Sequence, residues 1–164
     1  MTATLTRPPS VQVPARFRHV PLFHSSLGQD AIDLGHEAGL DLDDWQQDFV
    51  IGAMGRTAAN RWSAMEVAGI VPRQNGKGGI LEVRQLAGLY LIKRDKLQTH
   101  TAHRFDTCLD HFRRMTDLIE GTPDLLALVK DNGRGVGDRP SGIKDSNGKE
   151  SIELRDGSRL NFKA

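Results

Sequence analysis

Apolar residues recur at helical spacing in the stretch DLDDWQQDFVIGAM, which covers residues 41–54. Asp43 or Asp44 is placed to cap a helix there, because a carboxylate can accept hydrogen bonds from the first free N–H groups. Trp45, Phe49 and Ala53 then fall on one face of that helix. The pattern predicts an amphipathic helix that ends near Gly55.

Three more helices are predicted downstream. The first runs from about Lys77 to Lys93, and the second covers HRFDTCLDHFRRMTDLIE and ends at Gly121. Thr122-Pro123 then starts a short helix that continues to about Val129, since proline suits the first position of a helix.

Strands are predicted between and after these helices. RWSAMEVAGIV, at 61–71, is a mostly apolar run closed by Pro72, which is typical of a buried strand. KLQTHTA at 96–102 is a weaker candidate, and SIELRDGSRLNFKA predicts a hairpin that turns at Asp156-Gly157. The polar, glycine-rich residues 131–150 predict a long connection. The order strand, loop, helix, strand, helix predicts an α/β domain with a parallel sheet.

Composition divides the chain of 164 residues into an extended lead-in at 1–29, with prolines at 8, 9, 14 and 21, and one domain at 30–164. The single cysteine, Cys108, excludes a disulfide within the chain and favours a reducing compartment. No apolar run is long enough to predict a membrane span. The formal net charge of +1 gives no overall field for nucleic acid, so such a role would need a local basic patch.

The stretch VPRQNGKGG at 71–79 combines an apolar run, a glycine-containing turn, a lysine and the start of a helix. This order is typical of a phosphate-binding loop, in which backbone N–H groups at a helix N-terminus surround the anion and the lysine reaches its outer oxygens. Two positions depart from the usual pattern. Val71 stands where the first glycine is expected, and Gly78 stands where a hydroxyl would bind Mg²⁺. A plain strand-to-helix turn with an exposed lysine is therefore the alternative interpretation.

Two other residues, Arg73 and Gln46, have side chains suited to binding a nucleotide. Arg73 lies inside the loop, where its guanidinium could bind a phosphate through two hydrogen bonds. Gln46, next to Trp45, has the amide donor and acceptor that match an adenine edge. A solvent-facing glutamine beside a core tryptophan is the alternative for this pair.

Four stretches together resemble the N-terminal ATPase region of the large terminase subunit of tailed bacteriophages: LDLDDWQQDFV, EVAGIVPRQNGKGG, THTAHRFDTCLDHFRRM and GSRLNFKA. The resemblance runs from about Leu40 to Ala164. That family forms the motor that drives viral DNA into an empty capsid by ATP hydrolysis, and a separate C-terminal nuclease cuts the DNA. The resemblance implies the N-terminal portion of a RecA-like P-loop NTPase core.

The resemblance also implies roles for residues. Gln46 beside Trp45 would read adenine, Gly76 and Lys77 would hold the phosphates, and Arg73 would contact the γ-phosphate. The nucleotide-binding residues expected on this basis are Trp45, Gln46, Pro72, Arg73, Gln74, Asn75, Gly76, Lys77 and Gly78. The expected cofactors are ATP and Mg²⁺, with most metal ligands outside this chain. The catalytic acidic pair is expected beyond Ala164, so the chain alone should bind ATP weakly and hydrolyse it negligibly.

The partners implied are double-stranded viral DNA, the portal protein and the small terminase subunit, with assembly into a homo-oligomeric ring in the host cytoplasm and no membrane contact. Residues 93–114 hold six Lys or Arg against three Asp, so Arg104, Arg113 and Arg114 are the candidate DNA contacts. A solvated helix face is the competing explanation for these charges. The alternative functions are a fragment of a RecA-like helicase or translocase, and a degenerate assembly module that does not hydrolyse ATP.

A zinc site is a weak alternative for a cluster of histidine and cysteine side chains. The cluster comprises His100, His103, Cys108 and His111. Its spacing fits no familiar structural zinc pattern, so no metal site is predicted.

Overall fold

The computed structural model describes residues 15–72, 74–133, 135, 139–146 and 148–163 of the chain. These residues form five α-helices and six short strands, in the following order. The elements are β1 (Ser25–Ser26), α1 (Gly28–Glu37), α2 (Asp44–Ala53), β2 (Gly55–Arg56), α3 (Lys77–Tyr90), β3 (Leu97–Thr101), α4 (Phe105–Glu120), α5 (Pro123–Leu126), β4 (Ile143–Lys144), β5 (Ser151–Glu153) and β6 (Arg159–Lys163).

The predicted helices are confirmed, with small differences at their ends. Asp43 is the N-cap of α2 and forms a capping box with Gln46, in which each side chain bonds the other residue's backbone N–H. Lys77 begins α3, and Gly121 follows the last residue of α4. Pro123 occupies the first turn of α5, where its missing N–H costs nothing.

Helix α1 was not predicted, and it starts inside the range expected to be an extended lead-in. Residues 15–24 form neither helix nor strand, but β1 pairs with β2 and α1 begins at Gly28. The hydroxyl of Ser26 accepts a hydrogen bond from the N–H of Gly28 and donates one to the carbonyl of Ile51. These contacts fix the start of α1 against α2.

The main sheet is mixed rather than parallel. Its four strands lie in the order β3, β6, β5, β4, and only β3 and β6 are parallel, with Leu97 opposite Arg159 and Thr101 opposite Lys163. The other pairs are antiparallel. For β5 and β6 this follows from the predicted tight turn that joins them, in which Gly157 has φ +86°. The chain is thus a mixed α/β structure, and the prediction of a parallel sheet holds for one strand pair among the described residues.

The prediction of a buried strand at 61–71 is wrong. Trp62 forms one isolated bridge to Arg56, but residues 65–70 are exposed, including Met65 and Ile70, whose side chains are fully open to solvent. Its contact with β2 ends at Ser63, whose N–H bonds the carbonyl of Gly55. No described strand pairs with residues 64–71, and an apolar run without a neighbour to bond its backbone cannot join a sheet. The stretch 131–150 also differs from its prediction, since it contains β4.

Helix α3 lies between two apolar clusters and contributes to both. Val83 and Ala87 face α1 and α2, whereas Leu86 and Leu89 face α4 and the sheet. The first cluster is formed by Ala31, Ile32, Leu42, Val50, Met54, Ile80, Val83, Ala87 and Ile92. Burying both sides of α3 holds its N-terminal end, and the loop before it, in a fixed position.

Candidate functional site

The loop that precedes α3 has an alternating backbone conformation. Gln74 and Gly76 have positive φ angles of 62° and 67°, and Asn75 between them does not. Successive N–H groups in turn conformations of this kind can point to one side and form a concave site for an anion. A left-handed conformation is unusual for a residue with a side chain, such as Gln74.

Gly76 cannot be replaced by another residue without strain. Its φ of 67° disfavours any side chain, and a Cβ placed on it would lie 2.7 Å from Nε2 of Gln46. The carbonyl of Gly76 accepts a hydrogen bond from the same Nε2 at 2.6 Å. The glycine therefore allows α2 to approach the loop closely.

Gln46 joins the loop to the start of α2. It is 5% exposed, and its Oε1 accepts the N–H of Asp43 at 2.6 Å while its Nε2 donates to Gly76. The structure thus brings together two residues, thirty apart in the chain, that the sequence assigned to one site. Adenine recognition by Gln46 stays a prediction. After these two hydrogen bonds, its amide still has one N–H and one oxygen lone pair with which to bind a base.

The first turn of α3 presents charge and N–H groups to solvent. Lys77 is exposed, and its ammonium makes no ion pair with any described residue. No hydrogen bond among the described residues uses the N–H of Lys77 or Gly78, whereas the N–H of Gly79 bonds the carbonyl of Gly76. Free N–H groups at a helix N-terminus carry a partial positive charge, which favours an anion.

A polar layer lies between α3, α4 and β3, next to this turn. We use the name polar layer for four buried residues, Glu82, Gln85, His100 and His111, together with Arg114, whose side chain is 59% exposed. Nη2 of Arg114 donates to Oε2 of Glu82 at 3.0 Å, and Nε of Arg114 lies 2.9 Å from Oε1. That second contact is electrostatic only, because Oε1 has no hydrogen-bond partner among the described residues.

Gln85 connects the two histidines of the polar layer. Its Oε1 accepts a hydrogen bond from Nε2 of His111 at 2.8 Å, and its Nε2 donates one to Nδ1 of His100 at 3.1 Å. These directions follow because an amide oxygen can only accept and an amide nitrogen can only donate. The two imidazole rings stack with centroids 4.0 Å apart. Burial, with the nearby His100 and Arg114, lowers the pKa of His111 to about 3, and burial also lowers the pKa of His100. Both rings are therefore neutral at physiological pH.

Opposing effects act on Glu82. Burial raises the pKa of its carboxyl group, while the charge of Arg114 and the hydrogen bond from it lower that pKa, and burial has the larger effect. Arg114 is the cation that compensates the buried carboxylate.

The histidines and Cys108 do not gather into a metal site. The thiol of Cys108 contacts the carbonyls of His100 and Lys163, at 3.7 and 3.4 Å. Among the described residues, no three His, Cys, Asp or Glu side chains are grouped so as to hold a metal ion.

The three arginines proposed for DNA differ in their surroundings. All three side chains are exposed. Arg104 and Arg113 lie 3.3 Å from the exposed carboxylates of Asp106 and Asp110, respectively. Arg114 instead pairs with the buried carboxylate of Glu82, beside the first turn of α3. A role in DNA binding stays a prediction for all three.

The remaining predicted site residues lie on or near the loop. Pro72, Gln74 and Asn75 are exposed, Trp45 is half-buried against the first apolar cluster, and Arg73 lies outside the described residues. The sequence reasoning missed Glu82 and Gln85. Their signal is two polar residues at helical spacing on a face otherwise occupied by apolar side chains.

One open hollow lies elsewhere, at the C-terminal end of α3. It has a volume of about 370 Å³ and is lined by Arg56, Asn60, Arg61, Trp62 and residues 91–95. Because α3 has 14 residues and rises about 1.5 Å per residue, this hollow lies about 20 Å from the loop. It does not form part of the candidate site.

The part of the chain that the structure describes has no helix with the length and apolarity required to cross a bilayer. Comparisons of the chain with protein-family models, with curated proteins and with solved structures found no match.

Proposed function

We propose that this chain is the ATP-binding N-terminal portion of a phage large terminase subunit, the ATP-driven motor that packages viral DNA into the procapsid. The observation that carries the proposal is the loop before α3. Left-handed Gln74 and Gly76 meet, at one helix end, N–H groups and a Lys77 ammonium that have no partner among the described residues. This combination of charge and geometry suits the phosphates of a nucleotide.

The contact between Gln46 and Gly76 supports the same proposal. A glutamine fixed at the edge of a phosphate loop places an amide where a purine attached to those phosphates could reach it. The RecA-like core belongs to this proposal, and the parallel pair of β3 and β6 packed against α4 supports it.

Magnesium does not fit the described residues of this loop. Gly78 has no hydroxyl, and the nearest carboxylate, that of Glu82, is buried against Arg114. Neither parallel strand ends in an acidic residue, since β3 ends at Thr101 and β6 at Lys163. We therefore expect this chain to bind ATP without turning it over.

The partners in this proposal are double-stranded DNA, the portal protein and the small terminase subunit, within a ring of copies in the host cytoplasm. The lack of a hydroxyl at Gly78 gives one specific reason to keep a non-hydrolysing assembly module as the second candidate function. ATP turnover by the isolated chain would contradict both candidates, whereas ATP binding that depends on Lys77 is required only by the first.

The experiment is calorimetric titration of the chain with ATP, compared with the Lys77→Ala variant. Lys77 is exposed and makes no ion pair with a described residue, so its removal should not alter the fold. Binding that weakens about tenfold or more in the variant would support the proposal, since a charge-assisted contact contributes about 1.5–3 kcal/mol. Equal binding by both proteins, or no binding by either, would contradict it.

A further inference from the structure

Arg114 lies in the space beside Gly78, where the loop departs from the usual pattern. A Cβ placed on Gly78 would be 3.4 Å from Nη1 of Arg114 and 3.6 Å from Oε1 of Glu82. These are ordinary or slightly tight contacts, so a small side chain at this position would touch both groups. The site of the absent hydroxyl is therefore bordered by a guanidinium and a carboxylate.

The guanidinium is oriented by its partner. Nε and Nη2 of Arg114 face the carboxylate of Glu82, at 2.9 and 3.0 Å, and this carboxylate is 1% exposed. Nη1 has no partner among the described residues and is the Arg114 atom nearest to Gly78. A guanidinium held along one edge presents its remaining N–H groups in a fixed direction, which suits binding of a phosphate oxygen.

Glu82 fixes the direction of this guanidinium. Its residue is fully buried, and both carboxylate oxygens meet Arg114, with Oε1 2.9 Å from Nε and Oε2 3.0 Å from Nη2. A buried carboxylate needs a compensating cation. The pair therefore keeps Arg114 turned toward the loop and leaves Nη1 available.

We propose that Arg114 is a phosphate-binding residue of this loop, positioned by Glu82, and that it replaces the hydroxyl-bound magnesium ion. The ligand class is a nucleoside triphosphate, and its phosphates are held by the loop N–H groups, the ammonium of Lys77 and Nη1 of Arg114. A magnesium ion beside Gly78 would instead meet the guanidinium charge and no free oxygen ligand. Binding is thus independent of a divalent cation. This inference rests on the proposed function.

The test measures ATP binding by calorimetry, with magnesium present and with a chelator present. Because Arg114→Ala would leave a buried carboxylate unpaired, the informative variant is the double change Glu82→Gln with Arg114→Gln, which keeps a hydrogen-bonding pair. Arg113→Gln is the matched control, since Arg113 is its neighbour on α4 and pairs only with exposed Asp110. Circular dichroism verifies that each variant is folded.

The unaltered chain is expected to bind ATP equally well with and without magnesium. The double variant should lose about tenfold or more in affinity, the size of one charge-assisted hydrogen bond, and the Arg113 variant should lose none. Gly78→Ser, which adds a hydroxyl, should make binding respond to magnesium. Magnesium-dependent binding by the unaltered chain, or full affinity in the double variant, would overturn the inference.

The outcomes separate this inference from the proposed function. If Lys77→Ala abolishes binding but the double variant binds normally, the loop binds phosphate and Arg114 has no part in it. If the unaltered chain binds no ATP in either condition, the proposed function fails and this inference fails with it.

Discussion

The two faces of α3 are built by different physical means. Toward α1 and α2, Val83 and Ala87 are fully buried among other apolar side chains. Toward α4 and β3, Glu82 and Gln85 are also buried, but each has a polar or charged neighbour at hydrogen-bond distance. One helix thus packs through apolar contacts on one side, and on the other through the polar layer beside the apolar contacts of Leu86 and Leu89.

The difference matters because the two faces tolerate change differently. An apolar contact depends on volume, so its loss costs free energy in proportion to the space left empty. A buried polar contact depends on pairing. Removing one partner leaves the other buried and unpaired, which lowers the free energy of unfolding, whereas a matched double change keeps a pair. The apolar face fixes where the loop lies, and the polar layer determines which groups face it.

The largest effect on stability is expected on the apolar face. Met54, which is 1% exposed, belongs to the cluster that receives Val83 and Ala87. Met54→Ala should lower the free energy of unfolding by about 2–5 kcal/mol, because it opens a cavity. Urea unfolding measures this. Met65→Ala, at a fully exposed position, is the control and should change stability by less than about 0.5 kcal/mol.

A smaller effect is expected when the ion pair of the polar layer is broken. Arg114→Ala leaves the carboxylate of Glu82 buried and unpaired, which should cost about 1–3 kcal/mol. The cost is below that of a fully buried pair because the Arg114 side chain is 59% exposed. The double change Glu82→Gln with Arg114→Gln should restore most of the loss. If both variants lose the same amount, Glu82 does not depend on Arg114.

The polar layer should also make stability depend on pH. The folded-state pKa of His111 is about 3, below the value of 6.5 for a free histidine, so the unfolded chain binds a proton first as the pH falls. Stability is complete above pH 6.5 and declines by about 1.4 kcal/mol per pH unit as the pH falls toward about 3. His100 acts in the same direction, since burial lowers its pKa too.

Unfolding midpoints measured across this pH window test the prediction. His111→Gln should flatten the decline, because glutamine stays neutral and can still donate to Gln85. His36→Gln is the control, since Asp41 raises the pKa of that exposed histidine and its removal should not flatten the decline. An unchanged slope in the His111 variant would show that the ring is not neutral in the folded protein.

The smallest effect on stability is expected for Arg113, the residue before Arg114. Arg113→Ala removes an exposed ion pair with Asp110 and should change the free energy of unfolding by less than about 0.5 kcal/mol. A larger loss would mean that the burial of the carboxylate partner, 1% exposed for Glu82 and 72% exposed for Asp110, does not set the strength of these ion pairs.

Local signals predicted most of the helices and the hairpin. Asp43, Thr122-Pro123 and Asp156-Gly157 each act within a few residues, and each occupies an expected position. The stretch at 61–71 was mispredicted because burial of a strand depends on neighbours that an apolar composition does not specify. The same limit explains why the sheet proved to be mixed.

The loop of the candidate site could be predicted from the sequence, but the polar layer could not. The sequence order around Gly76 and Lys77 is a local motif, whereas Glu82 meets Arg114 across 32 positions and Gln85 meets His111 across 26. Such pairings depend on how α4 crosses α3, which no local pattern encodes. Arg114 was therefore predicted as a DNA contact, and its position beside Gly78 emerged only from the fold.

The central claim is that the backbone N–H groups from Asn75 to Gly78 surround the phosphates of a nucleotide. Amide NMR of the isotopically labelled chain, titrated with ATP, tests it most directly. The account predicts that the largest saturable shifts belong to Gly76, Lys77 and Gly78, and that Lys77→Ala suppresses them. Shifts confined to residues 91–95 at the opposite end of α3, or none at all, would contradict it.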